Sequence, residues 1–238
     1  MNIVRLVWVF LLLALPVLAD QQPIVHDFET EIQDDAGKKH KQQHRIEMYI
    51  DTVEAIGEAD AVAAPPCYVL SATGAWKKPV NWDVRGDEFP VPLNTMVGLI
   101  NQSMNTWESA ASDRRIYGFY TPGLLGFKMA QSWASFAHMS NPFLAVTIRH
   151  SQQKPNGDYE PKSWKVIYSL DHPWATDGRG DAYDFLAVSM HELGHVAGLG
   201  HPDPTNCPEE TMYPGASLGE TKKRSLHTGD IEGIKTLY

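Results

Sequence analysis

Apolar residues along this chain change pattern several times, and each pattern predicts a different element. After Arg5 they run unbroken from Leu6 to Ala19. From Arg45 to Glu58 their spacing predicts an amphipathic helix. Tyr68-Val69-Leu70 and Val80-Asn81-Trp82-Asp83-Val84 alternate, which predicts strands. Met96, Leu99, Ile100, Met104, Trp107 and Ala111 follow at three- and four-residue steps behind Pro92, predicting a long helix whose Met and aromatic stripe is core. Phe143 to Arg149 and Trp164 to Leu170 are rich in β-branched and aromatic residues and read as further strands. Asp184 is an N-cap or first-turn acid ahead of Phe185, Leu186 and Val188, and Thr228 to Tyr238 reads as a short capped helix. Strands, helix, strands, helix describe an α+β (α/β) domain.

Composition sharpens this. The chain has 238 residues, 43% of them hydrophobic, enough for one sizeable core, and a charge of -9, which offers no basic field for nucleic acid. The run ending at Ala19 is too short to span a bilayer comfortably. With small residues at Val17 and Ala19 it reads as a signal peptide cleaved after Ala19, so the mature protein is secreted, extracellular or held at the cell surface or in the periplasmic space, without a stable membrane span. Residues 20–66 hold 11 acidic and 4 basic residues and read as a pro-region or linker. Residues 67–238 have the length of one ordinary domain and read as a monomer. The two cysteines, Cys67 and Cys207, suffice for one bridge in an oxidising compartment.

The informative stretch is His191-Glu192-Leu193-Gly194-His195-Val196-Ala197-Gly198-Leu199-Gly200-His201. Two histidines four residues apart on a helix are separated by about 40° around its axis, so both imidazoles reach one metal ion. Glu192 is a neighbouring carboxylate able to take a proton from a metal-activated water. A third ligand cannot come from the same straight helix six residues beyond His195. Gly198 can adopt φ > 0, end the helix and turn His201 back to the metal. With 10 His and 13 Glu in the chain, the five-residue motif arises by chance at about 2%, and the extended one at roughly 10⁻⁴.

This motif, together with Thr211-Met212-Tyr213-Pro214-Gly215 and the closing Asp230-Ile231-Glu232-Gly233-Ile234 to Leu237-Tyr238, resembles the matrixins among the metzincin metalloproteases. The resemblance implies a zincin-like catalytic domain: a twisted, mostly parallel sheet, a long backing helix, an active-site helix, a Met-turn and a C-terminal helix. It implies one catalytic zinc on His191, His195 and His201, Glu192 as general base, Met212 beneath the metal, and Tyr213 and Pro214 near the pocket for the substrate side chain after the scissile bond. The implied function is a secreted endopeptidase that hydrolyses extracellular proteins through a zinc-bound water activated by Glu192. The alternative is a zinc-binding but catalytically silent recognition module of the same fold, disfavoured by the presence of Glu192. Calcium or a second zinc has no supporting motif, only scattered His138, His150, Asp158, His172, Asp177 and Asp181. The family's Pro-Arg-Cys-Gly latency motif is missing. A carboxylate of the acidic segment (Asp27, Asp34, Asp35 and Asp51 are available) would serve instead as a zymogen switch, occupying the open metal position. The family arrangement also brings the start of the first strand near the loop after His201, which implies a Cys67–Cys207 disulfide; the rival reading is Cys67 as a thiolate on the zinc.

Overall fold

The computed structural model describes residues 22–33, 38–52, 66–86, 88–112, 114–122, 132–139 and 142–238; the signal-peptide reading of residues 1–19 lies outside them. The elements in chain order are β1 (Ile24–Gln33), β2 (Lys39–Thr52), β3 (Val69–Leu70), β4 (Trp82–Arg85), α1 (Leu93–Ala110), β5 (Ser132–Ala137), β6 (Phe143–Gln153) and β7 (Tyr159–Ser169). They continue with β8 (Trp174–Ala175), β9 (Tyr183–Asp184), α2 (Phe185–Ala197), β10 (Leu199–Gly200) and α3 (Thr228–Leu237).

Six strands form one sheet in the order β1-β2-β6-β7-β5-β4. Within residues 67–238 it is mostly parallel: β4 pairs with β5 and β5 with β7 in parallel, and only β6 runs antiparallel to β7. The β1–β2 hairpin adds two antiparallel strands beyond β6. On α1 the predicted stripe is the core face, with Met96, Ile100, Met104 and Trp107 buried. Each such burial contributes about 1.5–3 kcal/mol over exposure. Pro92 makes no side-chain cap bond, so packing decides this helix. The Trp107 indole donates to the Met190 carbonyl, tying α1 to α2. No helix among the described residues is long and apolar enough to cross a membrane.

The helix predicted over Arg45 to Glu58 is corrected. Its described part lies in β2, and residues 53–58 are outside the description. Ile46, Tyr49, Ile50 and Val53 imitate a helical period, but the side chains turned inward are Glu47, Tyr49 and Asp51, at the two-residue period of a strand. Tertiary partners make this register favourable. Glu47 Oε2 accepts from Ser71 Oγ (2.7 Å) and Thr73 Oγ1 (2.6 Å), and lies 3.4 Å from Arg149 Nη1. Arg149, fully buried on β6, also donates to Ser71 Oγ and, at 2.8 Å, to the Gly74 carbonyl.

Cys67 and Cys207 are joined by a disulfide, with Cα atoms 5.5 Å apart. The Cys67 backbone lies against α3, where a Cβ on Gly229 would come within 2.2 Å of the Cys67 carbonyl oxygen.

A second contact fastens the hairpin. His44 on β2 meets His150 on β6 through Nδ1 and Nε2 at 3.0 Å, and Phe28 stacks on His44 with ring centroids 4.9 Å apart. Burial, then the nearby His44 and Lys165, pushes His150 down to about 4, and burial also lowers His44. An unfolded imidazole titrates near 6.5. Between those values the unfolded chain binds protons that the folded chain excludes, so stability rises with pH across the window and is lost on acidification. His150→Gln should therefore gain, relative to the parent chain, on the order of 1–2 kcal/mol between pH 7 and 4.5, a figure discounted for the partly solvated ring. Urea unfolding at several pH values reads this directly; parallel pH curves would refute it.

Candidate metal centre

The site rests on α2, a helix buried on every side. Asp184 caps its start, Oδ1 accepting from the Ala187 amide at 2.9 Å, and also accepts from Arg224. At the other end four carbonyls lack helical partners. Gly198, at φ +117°, donates its amide to the Gly194 and His195 carbonyls; the Trp76 indole serves Val196 and the Tyr238 hydroxyl serves Ala197. The left-handed Gly198 then turns the chain into β10 and brings His201 back.

The three imidazoles converge. His191 Nε2 is 3.1 Å from both His195 Nε2 and His201 Nε2, and the last two are 3.0 Å apart. The backbone sets the tautomers of the first two. His191 Nδ1 lies 2.6 Å from the Thr211 carbonyl and His195 Nδ1 2.8 Å from the Leu199 carbonyl; a carbonyl only accepts, so each Nδ1 carries the proton. Burial lowers His191 and pushes His195 down to about 3, so the rings are neutral and their Nε2 lone pairs face one another. Imidazole nitrogens gathered at such distances call for a cation, and three histidines suit zinc.

Asp51 from β2 completes the group. Its Oδ1 is 2.9 Å from His191 Nε2 and 3.1 Å from His201 Nε2, and its Oδ2 is 3.6 Å from His195 Nε2. All four residues are buried, with one ligand atom from each within 4.8 Å of the others. Of the other acids considered, Asp27 is exposed and paired with Arg45, and Asp34 and Asp35 lie outside the described residues. Glu192 adjoins the group. Its Oε2 accepts from Thr147 Oγ1 on β6 at 2.5 Å, and its Oε1 has no hydrogen-bond partner among the described residues. Burial, then the charge of Asp51, pushes this carboxyl well above the usual range.

Met212 lies under α2, where a Cβ on Gly194 would fall 2.2 Å from its Sδ. Its turn is held by the buried Asp230, which accepts from the amides of Thr211 (2.7 Å), Met212 (3.1 Å) and His227 (2.9 Å). The capped final helix was legible in sequence, but this role of its N3 acid was not. A small cavity of about 10 Å³, room for one water, adjoins Asp51, His191 and Glu192. Its outer wall is Gly215, Ala216 and Ser217, just past the buried Tyr213 and Pro214. Lys223 shapes that wall, donating to the Tyr213 carbonyl and, at 2.5 Å, to the Gly215 carbonyl. Burial pushes its ammonium down to about 8. Nothing in Thr221-Lys222-Lys223-Arg224 signals a buried cation. The scattered histidines and acids have other partners: His138 pairs with Asp171, His150 with His44, His172 with the Phe143 carbonyl, Asp158 with Lys154 and Asn156, Asp177 with the Arg179 amide and Asp181 with the Arg179 guanidinium.

The matrixin pattern of peptidase family M10 matches residues 145–238. Matrilysin of Homo sapiens is 40% identical over 152 residues, covering 62% of this chain and 52% of that protein. Matrilysin of Felis catus is 31% identical over 153 residues, covering 62% and 53%. Matrix metalloproteinase-25 of Homo sapiens is 27% identical over 197 residues, covering 78% and 33%. The chain spans about half the length of the matrilysins it matches, and less of the longer relative.

Proposed function

We infer that this chain, which carries a matrixin-like M10 metallopeptidase domain, is a secreted endopeptidase that cuts peptide bonds in extracellular proteins. The observation that carries the reading is the convergence of three buried imidazoles through their Nε2 atoms, 3.0–3.1 Å apart, beside the buried Glu192 carboxylate. His191, His195 and His201 would hold the metal. A zinc ion in such a site polarises a carbonyl and lowers the pKa of a water in its open position. Glu192 would take a proton from the attacking water as the water oxygen bonds to the carbonyl carbon, then pass it to the departing amine as the C–N bond breaks. Thr147 fixes Oε2, leaving the unpartnered Oε1 for that proton. An extended peptide is the fitting substrate, because β6 accepts an antiparallel strand on the side facing the histidines. Export is supported by the apolar leader and by the disulfide, which suits an oxidising compartment.

A second reading, a silent zinc-binding module, is favoured by one observation: a fourth protein group, Asp51, closes the ligand set as in structural sites. Incubation of the chain carrying Asp51→Ala, which lacks that fourth group, with a mixed peptide library separates the two. New internal cleavages should fall at least about 10²-fold with a chelator and return with added zinc. Stoichiometric zinc without any cleavage would favour the silent module.

A further inference from the structure

Resting on the reading that His191, His195 and His201 hold a metal, we propose that Asp51 is a fourth, chain-borne metal ligand, and that the strand bearing it lies where a substrate peptide would, closing the site against substrate. Without the hairpin, β6 is the edge of the sheet among the described residues, with β7 as its neighbour there. An exposed edge beside a reactive centre is a template for an added extended peptide. β2 fills that edge antiparallel, from His44 opposite Gln152 to Thr52 opposite Phe143, with a register irregularity at Asp51 and Thr52. Asp51 is thereby delivered above the histidines.

The geometry of the contact suits a cation. Asp51 Oδ1 lies 2.9 Å from His191 Nε2 and 3.1 Å from His201 Nε2, Oδ2 lies 3.6 Å from His195 Nε2 and has no hydrogen-bond partner among the described residues, and one ligand atom from each of the four side chains lies within 4.8 Å of the others. One metal ion bonded to all four groups would satisfy these buried polar atoms at once. The same strand covers the site further: Tyr49, two residues earlier, stacks on His195 with centroids 4.2 Å apart and an interplanar angle of 15°. A catalytic zinc site keeps an open position, whereas a site with four protein ligands is closed. Asp51 therefore takes the place that the attacking water needs, and residues 20–66 act as a pro-region by ligation and by strand mimicry together. The carboxylate is an exchangeable ligand, so displacement of β2 opens the site without losing the three histidines.

The test uses the full chain loaded with Co(II), the parent beside Asp51→Ala and the nearly isosteric Asp51→Asn. Acetohydroxamate is the probe, since it chelates only where coordination positions are open. Both variants should bind it at least tenfold more tightly than the parent by calorimetry, and the visible Co(II) spectrum should change as the carboxylate leaves. Equal affinities and superimposable spectra would overturn the proposal, even if all three proteins digest peptides. Tighter probe binding without peptide cleavage by any form would uphold the closed site and sink the endopeptidase reading instead.

Discussion

In a chain opened by Asp51→Ala, Glu192→Gln should lower peptide hydrolysis by about 10²–10⁴-fold, the range expected when a general base is removed, while zinc content per chain stays at the value without the Glu192 change. The substitution keeps side-chain volume and an oxygen able to accept from Thr147 Oγ1, so the helix and the histidines around it need not move. It removes the ability to hold a proton between attack and amine departure. His201→Ala should behave in the opposite way, losing metal first and activity as a consequence, because a ligand is removed and not a base. Metal analysis and initial rates on the same samples separate the two. A Glu192→Gln protein that digests peptides near the rate of the opened chain would remove Glu192 from the chemistry, and one that had lost its zinc would place it among the ligands or their supports.

Much of this centre was legible in sequence because its signals are local. Asp184, the histidine spacing and the helix-ending Gly198 sit within eighteen consecutive residues, and each acts through a backbone rule that does not depend on the rest of the chain. The α1 stripe was legible for the same reason. The N-terminal hairpin was not. Ile46, Tyr49 and Ile50 carry a helical period, and the reason for a strand lies far away: the partners of Glu47 are Ser71, Thr73 and Arg149, the last 102 residues on, and Asp51 meets His201 across 150. Polar residues facing inward on a strand read as solvent-facing until their partners are known. Asp51 was therefore one of four equivalent acids in sequence, and only the β2–β6 register sets it apart. Lys223 was hidden in the same way, its acceptors being two carbonyls of a turn that sequence does not position.

The largest effect on stability should come from the ion pair that fastens this hairpin. Arg149 and Glu47 side chains are 0% and 1% exposed, and besides Glu47 the guanidinium has the Ser71 hydroxyl and the Gly74 carbonyl as partners. Glu47→Ala would leave a buried positive charge without its counter-ion and strip the Ser71 and Thr73 hydroxyls of their shared acceptor. Breaking a buried pair from one side typically costs about 3–5 kcal/mol, far more than the pair contributes over an apolar replacement. Glu47→Leu combined with Arg149→Met should therefore be much less destabilised than Glu47→Ala alone, with a coupling on the order of 2–3 kcal/mol in urea unfolding. Because Glu47 lies on β2 and Arg149 on β6, the single variant should lose the hairpin before the body, and proteolysis within residues 39–52 should accelerate under conditions where α2 remains folded. A loss below about 1 kcal/mol, the scale of a solvent-exposed pair, would show that the β2–β6 ladder alone holds the hairpin and that the buried pair is incidental to it.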